Sequence, residues 1–233
     1  MNKEEFILEL SKNNIILSDY QLDQLDKYYN LLVVENKKYN LTSITNEDQV
    51  YLKHFFDSLT LAKIIKLDNQ KICDIGTGAG FPGIVLKIAY PNLQLTLVDA
   101  TLKKCNFLQM VVDELKLDEV NIVNQRIEDF SSETREEYDI VTCRAVSNLK
   151  VLLEIAIPLV KINGYFIPMK GNISQEIFNI DNYYLKLNIE LEKKEEFLLP
   201  KENSQRTLLK FKKINKTSNL YPRKYNEILK KEL

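Results

Sequence analysis

From residue 3 to about residue 66, apolar side chains recur at the three- and four-residue spacing of helices. Phe6, Ile7 and Leu10 form a short stripe; after Ser18, placed as an N-cap, a second runs through Leu22, Leu25, Tyr28, Tyr29, Leu32 and Val33. The polar stretch 40–46 interrupts the pattern with capping residues, and a third helix carrying Tyr51, Leu52, Phe55, Phe56, Leu59 and Leu61 follows. Two or three helices are expected here, with the aromatic residues in a core. At residue 71 the period changes. β-type runs KICDI, QLTLVDA, VNIVN, YDIVTC and GYFIPMK alternate with helical stretches expected at 82–90, 101–117 and 148–161. The runs KICDI, LTLV and DIVTC lack polar alternation, as strands buried on both faces should.

Alternating strands and helices predict an α/β fold, a parallel sheet with helices on both faces. After residue 172 a helical stretch leads to two more polar runs, 189–199 and 206–214, expected to pair antiparallel at the sheet edge across the loop PKENSQ. Seven strands result. The expected organisation is a helical segment at 1–66, a Rossmann-like domain at 67–216 and a tail at 217–233.

The near balance of 32 basic and 33 acidic residues conceals an uneven distribution. Residues 1–200 hold 22 basic against 30 acidic side chains, whereas residues 201–233 hold 10 against 3. Three cysteines with no Cys-x-x-Cys pair, and a single histidine, exclude a disulfide framework and make no zinc site, so reduced thiols in a cytoplasmic protein are expected. No apolar run approaches the roughly 20 residues of a membrane span, and the acidic start MNKEEF is unlike a signal peptide.

Four of the six glycines, Gly76, Gly78, Gly80 and Gly83, fall within GTGAGFPG. Between a strand and a helix, such residues let the backbone take positive φ and approach a ligand, while the helix start offers free N–H groups. The alternative is a tight turn with no ligand. Gly78-x-Gly80-x-x-Gly83, followed by Asp99, is formally a dinucleotide fingerprint. Three details favour S-adenosylmethionine over NAD. Asp74 gives Asp-x-Gly-x-Gly-x-Gly, where a carboxylate can receive an ammonium but would repel a pyrophosphate; the third dinucleotide glycine would follow Pro82, where helix and strand should pack closely; and the long C-terminal strands suit a closing antiparallel pair. Asp99 is placed to accept from both ribose hydroxyls, or to cap the helix at 101–117. Ile127 and Glu128 would flank the adenine by packing and hydrogen bonding, the alternative for Glu128 being simple solvation.

DIGTGAGFPGIVL, LVDATLKKCNFL, CRAVSNL, PMKG, NKKYNLTSI and KHFFDSL together resemble the 16S rRNA guanine-N7 methyltransferases, the RsmG (GidB) family, over residues 18 to 214. GFPG and HFFDSL are specific to that family; the rest is shared with many class I methyltransferases. The resemblance implies a cytoplasmic enzyme, expected to be monomeric and to need no metal, that methylates N7 of one guanosine in the small-subunit RNA. Carried over, the family's cofactor contacts fall on Gly76, Phe81, Ile127 and Glu128, and its arginine after the fourth strand on Arg144. Two places depart from the family: Glu35 stands where Trp is usual, and the tail YPRKYNEILKKEL lacks the usual glycine and prolines.

Arg144 and Lys170 end the fourth and fifth strands, the edge where open α/β sheets bind ligands. Both are candidate catalytic residues. Arg144 could hold guanine O6 or a neighbouring phosphate, or form an ion pair with a carboxylate; Lys170 could be solvated. His54 is either a packed helix residue or a contact with substrate or cofactor, and Asp57 could fix its tautomer. Other acceptors fit less well: an exocyclic amine would call for an Asn/Asp-Pro-Pro loop where Cys143-Arg-Ala-Val stands, and cytosine C5 for a cysteine in a Pro-Cys motif. A small-molecule methyltransferase, an NAD-dependent oxidoreductase and a non-catalytic RNA-binding module are the remaining readings. The basic tail is expected to be an RNA-binding arm whose removal leaves cofactor binding intact.

Overall fold

The computed structural model describes residues 1–173, 176 and 180–233. Helix α1 (Lys3–Lys12) starts at a capping box in which Asn2 and Glu5 exchange hydrogen bonds, and α2 (Asp19–Tyr39) at a second one between Ser18 and Gln21. Asn40, at φ +50°, ends α2 in the left-handed conformation that asparagine tolerates. The third helical run is composite. It passes from α3 (Glu47–Val50) through a π-helical stretch at Tyr51–Phe56 into α4 (Asp57–Leu59) and a 3-10 turn at Thr60–Lys63. Such π turns displace side chains from the regular helical face and are common at functional sites.

The α/β part follows as β1 (Lys71–Ile75), α5 (Gly83–Ala89), β2 (Gln94–Val98), α6 (Leu102–Leu115), β3 (Val120–Val123), α7 (Ile127–Glu133), β4 (Tyr138–Arg144), α8 (Leu149–Ala156) and β5 (Val160–Lys170). It closes with α9 (Asp181–Leu187), β6 (Ile189–Leu198), β7 (Gln205–Lys213) and α10 (Tyr225–Lys230). The seven strands lie in the order β3-β2-β1-β4-β5-β7-β6, with β7 antiparallel to both its neighbours. The expected antiparallel pair is present, with the last strand inserted between β5 and β6.

Successive strand residues divide between two cores, as a period of two requires. Ile72, Ile140 and Ile167 join the cluster formed with α1 to α6, whereas Cys73, Val141 and Phe166 join the one beneath α8, α9 and α10. Helix α2 lies against α5 and α6; Gln24 donates to Leu115 O at 2.9 Å and Gln21 to Ile88 O at 2.7 Å. The helical segment is thereby packed on α5 and α6, the helices that cover one face of the sheet.

Some boundaries differ from expectation. The helix predicted over 148–161 ends earlier, in a 3-10 turn containing Pro158, and β5 begins at Val160. Helix α7 is short, and its single helical stretch escaped the pattern. The helical stretch after residue 172 lies in part on 174–175 and 177–179, outside the described residues. Lys213, one of the ten basic residues of 201–233, is wholly buried, donating to Ile157 O and Val160 O and paired with Glu136 at 3.2 Å.

Candidate functional site

The glycine loop leaves β1 with Gly76, Gly78 and Gly80 at φ +67°, +62° and +103°. A Cβ at Gly76 would lie 2.7 Å from Val146, and one at Gly80 2.6 Å from the Tyr28 hydroxyl, so these two glycines let neighbouring elements close in. Beside Gly78 there is open space. The Tyr28 hydroxyl donates to Ala79 O, which makes this α2 residue part of the loop's frame as well as of the core.

Asp74 is fully buried. Its Oδ2 accepts from Thr77 Oγ1 at 2.7 Å and from Gly83 N at 2.8 Å, so the carboxylate ties the two ends of the loop together. Oδ1 has no partner among the described residues. Burial raises this carboxyl to about 7, against the opposing pull of its two hydrogen bonds and of Arg144. Gly83 packs directly on β2, where a Cβ would lie 2.4 Å from Leu97. Close helix–strand packing at Gly83 is therefore met, and that detail does not separate S-adenosylmethionine from NAD.

Asp99, at the end of β2, accepts from Gly78 N at 3.0 Å through Oδ2 and from Thr101 N at 2.9 Å through Oδ1. Thr101 is the N-cap of α6, so the helix-starting alternative holds in part. Asp99 also borders a cleft of about 230 Å³ with Gly76, Ile127, Glu128, Val146 and Tyr225. The four sequence-derived residues Gly76, Asp99, Ile127 and Glu128 are thus brought together. Glu128 also lies 3.4 Å from Arg126. Phe81 is not on this cleft; its ring stacks on His54, with centroids 4.3 Å apart, and Arg144 lies 5.4 Å above it.

On the other side of the chain segment that follows β4, a second pocket of about 360 Å³ is bordered by Lys53, His54, Asp57, Arg144, Lys170 and Arg206, with Ile44 and Met169 supplying apolar surface. Strand register explains this gathering. Arg144 is aligned with Met169 on β5, and Lys170 lies opposite Thr207 on β7, which puts Arg206 at the same sheet edge.

Asp57 is the hub. Its Oδ2 accepts from Arg144 Nη1 at 3.2 Å and its Oδ1 from Arg206 Nε at 2.9 Å, with only 3% of the residue exposed. Arg144 also donates to Lys53 O at 2.6 Å and to His54 Nδ1 at 3.0 Å. Because a guanidinium can only donate, Nδ1 accepts and the ring proton sits on Nε2, which reaches Thr42 Oγ1 at 3.0 Å. The expected Asp57–His54 contact is replaced by one through Arg144, whose longer reach spans both. Burial first, then the Arg144 charge, lowers His54 to about 3, so the ring is neutral at physiological pH. Lys170 is not solvated: it pairs with Glu176 at 2.8 Å and donates to Ser147 O at 2.8 Å.

Cys143 is buried, and that burial holds its thiol well above the usual range, so it is no nucleophile for cytosine C5. Among the described residues there is no cluster of three or more His, Cys, Asp or Glu able to hold a metal, and no helix long and apolar enough to cross a membrane. The tail is not a detached arm. Arg223 pairs with the buried Glu154 at 2.7 Å and Tyr225 borders the smaller cleft. Sequence reasoning missed Arg206, Tyr28 and Tyr225, because their partners lie far away along the chain.

Residues 21–209 match the family described as rRNA small subunit methyltransferase G, GidB. The chain is 47% identical over 222 residues to a ribosomal RNA small subunit methyltransferase G of Mycoplasma capricolum subsp. capricolum, with 95% of each chain covered. It is 45% identical over 230 residues to the protein of that name from Lactobacillus acidophilus, covering 96% of this chain and 95% of the other. Among solved structures, M. jannaschii TYW2 in complex with AdoMet aligns with a TM-score of 0.55 at 17% identity, over 68% of this chain and 77% of that one. A SAM dependent methyltransferase from Aquifex aeolicus aligns with a TM-score of 0.55 at 14% identity, over 74% and 96%.

Removing the hub should cost stability. Asp57→Ala leaves two part-buried guanidiniums without their shared, buried carboxylate and is expected to destabilise the fold by about 2 kcal/mol in urea denaturation. A loss below about 1 kcal/mol would mean that the arginines find other partners.

Proposed function

The chain belongs to the rRNA small subunit methyltransferase G family, and on that premise we propose that it transfers a methyl group from S-adenosylmethionine to N7 of one guanosine in the 16S rRNA of the small ribosomal subunit, as a cytoplasmic monomer. The observation that carries this reading is the pairing of two unlike pockets across residues 144–147: in one carboxylates outnumber cations, Asp99 and Glu128 against Arg126, and in the other cations outnumber carboxylates.

The smaller cleft suits the cofactor. Asp99 and Glu128 offer acceptors for hydroxyl and amine donors, Ile127 and Val146 offer apolar surface, and the open space at Gly78 gives a ligand access to the loop backbone. The unpartnered Asp74 Oδ1 is the acceptor left for the ammonium. S-adenosylmethionine supplies the methyl group, the carbon–sulfur bond breaking with its electron pair left on sulfur. Guanine N7 carries an in-plane lone pair and no proton, so no general base is needed. Alignment is the main requirement. This suits a site whose histidine is neutral and already engaged by Arg144.

In the larger pocket, Ile44 and Met169 offer a surface for the base, and Arg144 and Lys170 are the groups that hold it. Arg144 is positioned to donate to guanine O6 or to a phosphate. Asp57, Glu176 and Glu202 partly balance Arg144, Arg206, Lys170 and Lys53, so that the pocket keeps a positive excess for RNA. An NAD-dependent oxidoreductase is not supported: the family match is to methyltransferases and no further feature of the site favours it.

Incubation with labelled S-adenosylmethionine and small subunits from cells lacking the enzyme, followed by mapping of the modified base, tests the assignment. Label at N7 of a single guanosine is expected; label on an exocyclic amine or on cytosine C5 would refute it. A second expectation follows from Asp74, whose carboxyl is raised to about 7. A cation arriving beside it displaces its proton, so affinity for S-adenosylmethionine should rise with pH between 5.5 and 7, by up to about tenfold per unit, while the ligand's ammonium stays charged. Calorimetry in buffers of different ionisation enthalpy should detect proton release, absent in Asp74→Asn. A pH-independent affinity would leave Asp74 only its role in fastening the loop.

A further inference from the structure

The C-terminal segment is fastened to the domain at several points before it reaches the cofactor cleft. Arg135 donates to Tyr221 O at 2.7 Å and to Thr217 O at 3.0 Å. Arg223 places its backbone N–H and its guanidinium on Glu154, with Nε at 2.8 Å from Oε1 and Nη2 at 2.7 Å from Oε2. Glu154 is wholly buried on α8, so this two-pronged pair is a fixed anchor, and an uncompensated carboxylate would remain if it opened. Ile228 is buried in the core beneath α8, and Lys150 pairs with Glu232 at 2.7 Å.

Between the anchors at Arg223 and Ile228 stands Tyr225. Its ring packs against the same apolar cluster as Ile127 and Val146, yet is only half-buried, and it borders the cleft that also holds Asp99 and Glu128. A half-buried aromatic side chain bordering a cleft that also carries the carboxylate acceptors Asp99 and Glu128 is suited to a purine nucleoside.

We propose that the tail forms a wall of the cofactor site, with Tyr225 packing on the adenosine half of S-adenosylmethionine and the Glu154–Arg223 pair holding that wall in place. This rests on the cofactor assignment above. It replaces the expectation that residues 217–233 are an arm for RNA whose removal spares the cofactor. Part of the basic character of the tail is internal: Arg223 is committed to Glu154, and the preceding Lys213 is buried.

Calorimetric titration of the full chain, Tyr225→Ala and Tyr225→Phe with S-adenosylmethionine and with S-adenosylhomocysteine is the test. Tyr225→Ala should weaken both ligands by about tenfold, the usual effect of losing one aromatic face against a base. Tyr225→Phe should stay within about twofold of the unmodified chain, because packing and not the hydroxyl makes the contact. Equal affinities for the unmodified chain and Tyr225→Ala would overturn the proposal, and weakening of S-adenosylmethionine alone would overturn the placement on adenosine. Failure of the unmodified chain to bind either ligand would instead bring down the cofactor assignment itself. A second measurement needs no variant: saturating S-adenosylmethionine should slow tryptic cleavage after Lys224 and Lys230. Unchanged cleavage would contradict a wall that touches the ligand.

Discussion

The buried carboxylate of Asp57, shared between Arg144 and Arg206, joins three parts of the molecule that are remote in sequence. It comes from the composite helix of the N-terminal segment, while the arginines come from β4 and β7, at sequence separations of 87 and 149. A buried charge is tolerated only when it is paired, and two guanidiniums on one carboxylate leave a positive excess facing the pocket. The helical segment is therefore part of the site. Without it, Arg144 would lose Asp57, His54 Nδ1 and Lys53 O together.

The same arrangement fixes the boundary between the two pockets. Arg144 lies over the Phe81 ring, which itself stacks on His54, and the residues just after Arg144 divide the cation-lined pocket from the cleft bearing Asp99 and Glu128. Phe81 belongs to the glycine-loop sequence but faces the arginine side. It links the loop proposed to approach the cofactor to the group proposed to hold the base. For the proposed N7 nucleophile, which needs no deprotonation, such a packed junction serves the alignment that remains for the enzyme to supply.

How much of this the sequence disclosed depended on distance along the chain. The strand–helix alternation, the loop at 76–83 and Asp99 were legible, because local period and glycine clustering encode them. Ser18 as an N-cap was legible for the same reason. The double pairing of Asp57 was not, since nothing in a helix pattern points to an arginine on the last strand. Lys213 shows the converse failure: a lysine counted as surface charge is buried, satisfied by two carbonyls and Glu136. Composition likewise suggested a free basic tail, whereas Glu154, a buried acid within the apolar run of α8, was the residue that called for a distant cation.

Arg144 is proposed to act on the base and not on the cofactor. Single-turnover methyl transfer to small subunits, measured alongside S-adenosylmethionine affinity for Arg144→Ala, addresses it directly. A rate reduced by about two orders of magnitude with affinity changed less than about threefold is the outcome this structure predicts. Equal losses in both would make Arg144 a cofactor residue, and an unchanged rate would reduce its pairing with Asp57 to a structural bond.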